Sequence, residues 1–279
     1  MEKFLFMGGD RRQLYAAKSL LLAGHSVCFA SDSAAWKRQV RDCERLVLPL
    51  PMSRDGETVY APQRSVPVGL AELADLLQKG QLVFAGMPEP MWRESVRSKG
   101  IELYDYYENE ALLFANAAAT AEGVLFEIIG ATDTTVCGSS FLITGYGRTA
   151  SALAPRLRAL GGKVTVAARA EKDRICAESN GCKAVSLDKI EEELPHCDVL
   201  INTVPSRIIE EKHLLRLKRD ALVLEIASAP YGADEETVKQ CGLRYLNAPG
   251  LPGRLSPRSA GEAISRAILS YEKEGEVRG

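Results

Sequence analysis

Residues 142–169 have the sequence LITGYGRTASALAPRLRALGGKVTVAAR, and this stretch indicates the class of fold. An apolar strand leads into a turn in which Gly145, Gly147 and Ala150 match the spacing G-x-G-x-x-G/A, and a helix and a second strand follow. The first glycine permits a tight turn, the second lets the backbone approach a pyrophosphate, and the small third residue lets the helix pack on the strand. The stretch therefore predicts a dinucleotide-binding βαβ unit, with a structural glycine turn as the alternative.

We expect the pyrophosphate to lie at the start of the helix, where backbone N–H groups and the helix dipole favour an anion. Pro155 falls inside this helix and has no N–H to donate, so the sequence also predicts a kinked or shortened helix. The residues predicted to hold the pyrophosphate are Gly145, Tyr146, Gly147, Arg148 and Thr149.

The end of the second strand bears on the choice of cofactor. Some NAD-binding domains place an acidic residue there to accept hydrogen bonds from the ribose hydroxyls, whereas this strand ends with Ala168 and Arg169. An arginine can pair with a 2'-phosphate. The sequence therefore favours NADP over NAD, although Arg169 as a solvated loop residue is the alternative.

Two further loops follow buried strands of the same domain. They are NTVP, residues 202–205, and IASAP, residues 226–230. Ligands of this fold bind outside the carboxyl ends of the strands. We expect these loops to meet the nicotinamide, or alternatively to be ordinary turns, since Asn and Pro are common turn residues. The residues predicted to contact the cofactor here are Thr203, Val204, Pro205 and Ala227.

Length and composition describe a soluble globular protein of about two domains. The chain has 279 residues and a formal net charge of −2, without the basic surface typical of nucleic-acid binding. Its seven cysteines never form a C-x-x-C pair and its three histidines are dispersed, so we expect reduced thiols and no metal site. The apolar N-terminal run is too short for a signal peptide, and charged residues interrupt the longest apolar region. These features predict a cytoplasmic protein without a membrane span.

Short apolar strands alternate with helices along the chain, which predicts an α/β fold. We expect two doubly wound, Rossmann-like domains with mostly parallel sheets, joined by a long interdomain helix at about residues 108–129. Residues 1–115 would form an N-terminal substrate and catalytic domain, and residues 116–279 an NAD(P)-binding domain whose terminal helix, at 259–271, is able to pack back on the first domain. Other helices are predicted at 149–160, 171–180 and 210–216, and a loop at 184–190.

Several strings of the sequence together resemble the A-subunit family of dipicolinate synthase, in the same order and over nearly the whole chain. LPLPMSRDG and APGLPG are the specific strings. GGDRRQ, TAEGV, TGYGRTA, VAAR, NTVP and SPRSAGEAI accompany them. The chain differs from the family at Arg258 and Glu262, where a lysine and a glutamine are expected, and at Pro155.

The resemblance implies a two-domain enzyme related to alanine dehydrogenases and D-2-hydroxyacid dehydrogenases. It implies NAD(P)-linked formation of dipicolinate, from a hydroxy-tetrahydrodipicolinate precursor, in the mother cell of a spore-forming bacterium. The implied partners are a small dicarboxylate substrate and the flavoprotein-like B subunit of dipicolinate synthase, and homo-oligomerisation is left open.

A dicarboxylate requires cations, because a guanidinium holds a carboxylate through two hydrogen bonds. Arg54 is the favoured cation and Arg11 the second, with Arg254 and Arg258 as further candidates and a solvated surface role as the alternative for each. Thr120 and Glu122 are candidate proton-transfer groups if the long helix breaks near Gly123; an interdomain hydrogen bond is the alternative for Thr120.

Two other functions fit the same motifs. One is a different NAD(P)-dependent dehydrogenase, of the alanine or shikimate dehydrogenase type. The other is a non-catalytic nucleotide-sensing subunit, which the lack of a clear Lys-Asp or His-Glu catalytic pair keeps under consideration.

Overall fold

The structure, a computed structural model, describes residues 1–278, with side chains described through residue 271. The chain divides into two compact units. The first unit comprises Met1–Asn116 together with the chain from Pro252 onward, and the second unit comprises Ala117–Leu251.

The described residues contain strands and helices in alternation. The strands are β1 (Lys3–Phe6), β2 (Ser26–Phe29), β3 (Arg45–Val47), β4 (Leu82–Ala85), β5 (Glu102–Asp105), β6 (Ser140–Thr144), β7 (Lys163–Ala168), β8 (Lys183–Ser186), β9 (Val199–Asn202), β10 (Leu222–Glu225) and β11 (Arg244–Asn247). The helices are α1 (Arg11–Leu22), α2 (Trp36–Asp42), α3 (Leu70–Leu76), α4 (Pro90–Ser98), α5 (Glu110–Ala131), α6 (Arg148–Ala159), α7 (Glu171–Ser179), α8 (Glu211–Leu214), α9 (Glu235–Gln240), α10 (Leu251–Leu255) and α11 (Pro257–Arg278).

The first unit has a parallel sheet with the strand order β2-β1-β3-β4-β5. Both faces of this sheet are covered, so its strands are apolar on both sides. Phe4 and Phe6 belong to the core on one face, while Leu5 and Met7 belong to the core on the other. The strand order reverses between β1 and β3, where ligands of such sheets bind.

The second unit has a parallel sheet with the strand order β11-β10-β9-β6-β7-β8. This is the strand order of dinucleotide-binding domains, with the reversal between β6 and β9. The prediction of two doubly wound parallel domains joined by a long helix is confirmed.

One segment predicted to be a loop is a strand. β8 pairs with β7 in parallel, with Thr165 opposite Lys183 and Ala168 opposite Ser186. A short 3-10 helix follows directly at Leu187–Glu192. The strand escaped prediction because only four residues pair, and because they lie at the edge of the sheet, where none of them is fully buried.

Pro155 was predicted to kink or shorten α6, and the helix is not shortened. The helix continues from Arg148 to Ala159 through Pro155, whose ring lies on the exposed side of the helix. The helices predicted at 171–180 and 210–216 are observed at Glu171–Ser179 and Glu211–Leu214.

α5 carries the chain from the first unit into the second as one continuous helix. Gly123 lies within this helix. A Cβ atom there would lie 2.8 Å from the Cβ atom of Leu251, so only glycine allows this packing. By length and composition alone α5 could cross a membrane, a property that core helices of soluble proteins share.

The terminal segment groups with the first unit rather than with the second. Apolar side chains of α11, including Ile264 and Ile268, join the core formed by Ala16 and Leu20 of α1 and by Phe4 of β1. Gly261 lets the two helices approach closely, since a Cβ atom there would lie 2.7 Å from the Cβ atom of Tyr15.

Candidate dinucleotide and substrate sites

The glycine turn after β6 has the geometry that a pyrophosphate requires. Gly145 adopts a φ of +80°, which L residues with a side chain rarely adopt, and its N–H donates to the carbonyl oxygen of Ala167 at 2.8 Å. Gly147 is the N-cap of α6, and nothing lies within 4 Å of the position of a Cβ atom there. Ala150 is fully buried, so the helix packs directly on the strand. The turn thus leaves open space beside its second glycine, at a helix N-terminus.

The other residues predicted for this turn differ in exposure. Tyr146 is buried, and its ring belongs to the core of the second unit, so its backbone rather than its side chain is available to a ligand. Arg148 is exposed at the first helical position and Thr149 is half-buried next to it.

A cavity of about 550 Å³ lies beyond the end of β7, and Arg169 lines it. The guanidinium of Arg174 donates to the carbonyl oxygens of Ala168, at 2.9 Å, and of Arg169, at 2.6 Å, which holds this turn. Lys212 and Arg207 also line the cavity, but Lys212 lies within 4 Å of two glutamates and Arg207 pairs with Asp234 at 3.5 Å. Within residues 1–271, Arg169 forms no ion pair, so its charge is available to a ligand phosphate.

A polar row crosses the carboxyl edge of the second sheet. Thr144, Asn202 and Glu225 are the last residues of β6, β9 and β10, and they lie opposite one another in the register of the sheet. The Thr144 hydroxyl donates to Asn202 Oδ1 at 2.6 Å, and Asn202 Nδ2 donates to Glu225 Oε1 at 2.7 Å. All three side chains are at most 1% exposed. The row therefore joins the ends of three strands. The glycine turn and the two predicted nicotinamide loops start directly after these ends.

The row also holds the two loops. Asn202 accepts from the N–H of Val204 at 3.2 Å and donates to its carbonyl oxygen at 2.9 Å. Glu225 accepts from the N–H groups of Ala227, at 2.9 Å, and Gly232, at 2.7 Å. The predicted contact residues Val204 and Ala227 are thus positioned by buried side chains at the ends of the strands that precede their loops.

Sequence reasoning missed Asn202 as an organiser and Glu225 altogether. The available signal was a carboxylate at the end of an otherwise apolar strand, ALVLE. Burial raises the pKa of Glu225, while the hydrogen bonds from Asn202, Gly232 and Ala227 oppose the rise. A carboxylate retained where burial disfavours it is a feature typical of functional sites.

The loop after β10 has little conformational freedom. Tyr231 adopts a φ of +62°, which is uncommon for a residue with a side chain. A Cβ atom at Gly232 would overlap the amide group of Asn202, so the loop approaches the polar row as closely as a backbone can.

In the first unit, an arginine and an aspartate occupy the point where the strand order reverses. Asp10 caps α1 by accepting from the N–H of Arg12 at 3.0 Å. The Arg12 guanidinium is buried and donates to both oxygens of Asp10, with Nε–Oδ1 at 2.9 Å and Nη2–Oδ2 at 2.7 Å, and also to the carbonyl oxygen of Leu50. The side chain of Arg11, a candidate cation from the sequence, is exposed, because the first turn of α1 directs Arg12 toward the sheet.

Arg54 lies in a braced loop beside this pair. Its guanidinium stacks over the ring of Tyr60, 4.0 Å from the centroid, and it lines a cavity of about 220 Å³. Asp55 braces the loop by accepting from the N–H groups of Glu57 and Thr58, at 2.9 and 2.8 Å. The charge of Arg54 contributes to a lowered pKa of Asp10, so these groups share one electrostatic environment.

The helix break on which the roles of Thr120 and Glu122 depended does not occur. Both residues lie on the continuous helix α5, where Glu122 is exposed and lies 3.9 Å from Arg156 Nη2. Thr120 is half-buried on the same helix. Gly123, where the break was expected, lies inside the helix and packs closely on Leu251.

The difference from the family at the start of α11 has a local explanation. Arg258 Nε donates to Glu262 Oε1 at 2.9 Å, so the two differing residues form an exposed i,i+4 ion pair.

Among the described residues, no group of three or more His, Cys, Asp or Glu side chains could hold a metal ion.

Each unit is similar to a known domain family. Residues 3–107 match the family described as the N-terminal domain of the dipicolinate synthase A subunit, and residues 116–247 match the NAD binding domain of S-adenosyl-L-homocysteine hydrolase. A curated relative, the dipicolinate synthase A subunit of Bacillus subtilis (strain 168), is 29% identical over 187 residues. The alignment covers 67% of this chain and 63% of the relative, which is less than two thirds of the relative's length.

Solved structures share the fold. The dipicolinate synthase A subunit from Bacillus halodurans has a TM-score of 0.83 and 22% identity and covers 97% of each chain; its counterpart from Bacillus subtilis has a TM-score of 0.84 and 24% identity and covers 100% of this chain and 98% of its own. A transhydrogenase from Sinorhizobium meliloti has a TM-score of 0.69 and 12% identity over 96% of this chain and 92% of its own.

The predicted resemblance to the A subunit of dipicolinate synthase is confirmed by these matches. The second unit matches an NAD-binding domain, and the fold of the chain is shared with solved dehydrogenases.

Proposed function

We propose that this protein is the NAD(P)-dependent subunit that forms dipicolinate from a hydroxy-tetrahydrodipicolinate precursor. The observation that carries the proposal is the match of residues 3–107 to the N-terminal domain of the dipicolinate synthase A subunit. The second unit is shared with many oxidoreductases, whereas the first unit matches a family that is named for one activity. The overall conversion removes one water and one hydride with a proton.

The backbone of the glycine turn would hold the dinucleotide. Gly145 makes the turn and Gly147 leaves room for the pyrophosphate, while the first N–H groups of α6 face it. When bound, the dinucleotide supplies the acceptor for the hydride. Thr203, Val204, Pro205 and Ala227 would surround the nicotinamide half, with Val204 and Ala227 oriented by Asn202 and Glu225.

NADP is the proposed cofactor in preference to NAD. Ala168 supplies no carboxylate to a ribose at the end of β7, and the guanidinium of Arg169 lines the adjoining cavity without an ion pair within residues 1–271. The oxygens of a 2'-phosphate would accept two charge-assisted hydrogen bonds from such a guanidinium.

Arg54 is the proposed anchor for a substrate carboxylate. Tyr60 holds its guanidinium flat and Asp55 braces its loop, so little side-chain freedom remains to be lost on binding. Arg11, exposed at the start of α1, is a second candidate for the other carboxylate. A protein with a net charge of −2 must concentrate positive charge locally to bind a dicarboxylate.

The remaining proposals come from the relatives. Because they are designated A subunits, they support a partnership with the B subunit of dipicolinate synthase, and the activity named for them supports a role in sporulation, in the cytoplasm of the mother cell.

One assay tests this function. Purified protein, with and without the B subunit, is mixed with the precursor and with NADP⁺ or NAD⁺, and the reduced nicotinamide and dipicolinate are measured together. We expect dipicolinate and reduced cofactor in equal amounts, and none with Gly147→Val. Dinucleotide binding without precursor-dependent reduction would instead identify a nucleotide-sensing protein, and reduction with another hydroxy or amino acid alone would identify a different dehydrogenase.

A further inference from the structure

The carboxylate of Glu225 is a buried charge without a cation. Its side chain is 0% exposed. In the part of the chain whose side chains are described, it accepts hydrogen bonds from Asn202 Nδ2 and from the N–H groups of Ala227 and Gly232, and no ion pair involves it. Burying a charge without a countercharge costs free energy. The presence of this carboxylate therefore points to a function.

The hydrogen bonds favour the ionised state of Glu225, against the effect of burial. Oε1 accepts from Asn202 at 2.7 Å and from Ala227 at 2.9 Å, and Oε2 accepts from Asn202 at 3.0 Å and from Gly232 at 2.7 Å. Each partner is a donor, so a protonated carboxyl group would find no acceptor for its own O–H. This arrangement stabilises the ionised form.

The charge lies at the edge of the sheet where the second half of a dinucleotide binds. Glu225 ends β10, next to Asn202 at the end of β9, and the sheet reverses its order between β9 and β6. The dinucleotide of such a domain crosses that reversal, with its first half on the β6–β8 side. Its nicotinamide half would then face the loops that Glu225 and Asn202 hold.

The field of this carboxylate extends beyond its direct contacts. Burial, and next the charge of Glu225, raise the pKa of Tyr245 on β11 to about 12. Charges inside a protein are screened far less by salt and water than charges on its surface. A nearby ring that changes its own charge will therefore be bound with different affinity in its two charge states.

A nicotinamide ring is such a group, because it is cationic when oxidised and neutral when reduced. We propose that Glu225 is a positioning and specificity-determining residue that favours the oxidised over the reduced dinucleotide while holding the two loops beneath the ring. The inference rests on the proposed function, since an enzyme that oxidises its substrate must load the oxidised cofactor and release the reduced one.

The test compares affinities for both redox forms. Dissociation constants of NADP⁺ and NADPH are measured by calorimetry for the full chain and for Glu225→Gln, which keeps the shape and removes the charge. We expect the preference for NADP⁺ over NADPH to fall about tenfold in Glu225→Gln. Glu225→Asp keeps the charge on a shorter side chain, so it should weaken both forms while the ratio stays within about twofold of wild type.

Asp105, which unlike Glu225 has a cation partner in Arg93 Nη2 at 2.6 Å, offers a control carboxylate in the first unit. It is a buried carboxylate at the end of β5 that accepts from the N–H groups of Met87 and Tyr107, both at 3.0 Å. Asp105→Asn should leave the affinity ratio unchanged. An unchanged ratio of NADP⁺ to NADPH affinity in folded Glu225→Gln would overturn the inference. A shifted ratio in Glu225→Asp would overturn it as well, and this variant serves as the test if Glu225→Gln does not fold. Failure of the wild-type protein to bind either form would contradict the proposed function instead.

Discussion

Gly145 lies against Val204: a Cβ atom on the glycine would stand 2.7 Å from Cγ2 of the valine. The phosphate turn after β6 and the loop after β9 therefore fit together only because one of them lacks a side chain. Thr203 adds to the contact by donating its hydroxyl to the carbonyl oxygen of Thr144 at 2.7 Å. Geometry at one half of the dinucleotide site is thus tied to geometry at the other.

Gly145→Ala should therefore disturb both the fold and the site. The alanine would have to adopt a φ near +80° and displace Val204, and we expect the free energy of unfolding to fall by about 1–3 kcal/mol. Urea denaturation measures the loss. An alanine variant as stable as wild type would show that the turn and the loop move independently.

Gly147→Val separates binding from stability. Gly147 has a φ of −78° and no atom lies within 4 Å of its Cβ position, so the variant should fold with a thermal midpoint close to that of wild type. The added side chain would occupy the space proposed for the pyrophosphate, and calorimetry should detect no dinucleotide binding. Unchanged affinity in the folded variant would place the dinucleotide elsewhere.

Arg169→Ala tests the choice of cofactor. We expect NADP affinity to fall by about 1–3 kcal/mol more than NAD affinity, because a charge-assisted contact with the 2'-phosphate is lost. Lys172→Ala, which removes an exposed cation at the start of α7, is the control and should have no such selective effect. Equal losses for both cofactors, or none, would leave Arg169 as a solvated residue.

Arg54→Lys tests the substrate anchor. The lysine keeps the charge but loses the planar group that stacks on Tyr60, so turnover of the precursor should fall while NADP affinity stays the same. Arg54→Ala should impair turnover further, and the exposed Arg41→Lys serves as the control. Wild-type turnover and KM in Arg54→Ala would assign the arginine to the surface.

Asp10 makes a contribution to stability that depends on pH. Burial opposes its charge, but the hydrogen bonds and the charge of Arg12 outweigh burial, so the pKa of Asp10 lies below its ordinary value of 3.8. A lowered pKa means that the stabilisation is present above pH 3.8 and is lost as the pH falls below it. Asp10→Asn keeps a helix cap but removes the ion pair.

We expect Asp10→Asn to lower the free energy of unfolding by about 1–3 kcal/mol at about pH 7, with a smaller difference from wild type at about pH 3. Chemical denaturation across this range measures it, with the exposed Asp220→Asn as control. A difference that stays constant with pH would mean that the charge of Asp10 does not determine the effect.

The sequence by itself determined the features that depend on neighbouring residues. The alternation of apolar strands with helices predicted the two parallel sheets, and the spacing of Gly145 and Gly147 predicted the phosphate turn, because a tight turn and a helix start are local requirements on the backbone. It predicted the long helix as well, since alanine and leucine favour helix over any other structure.

Only the tertiary structure decided which distant residues meet. Thr144, Asn202 and Glu225 form one row because parallel pairing places residues 58 and 23 positions apart in register. The close packing of Leu251 on Gly123 joins residues far apart in the chain, and the burial of Arg12 rather than Arg11 depends on the direction in which α1 meets its sheet. Such contacts arise from non-local packing, which no local pattern of residues records.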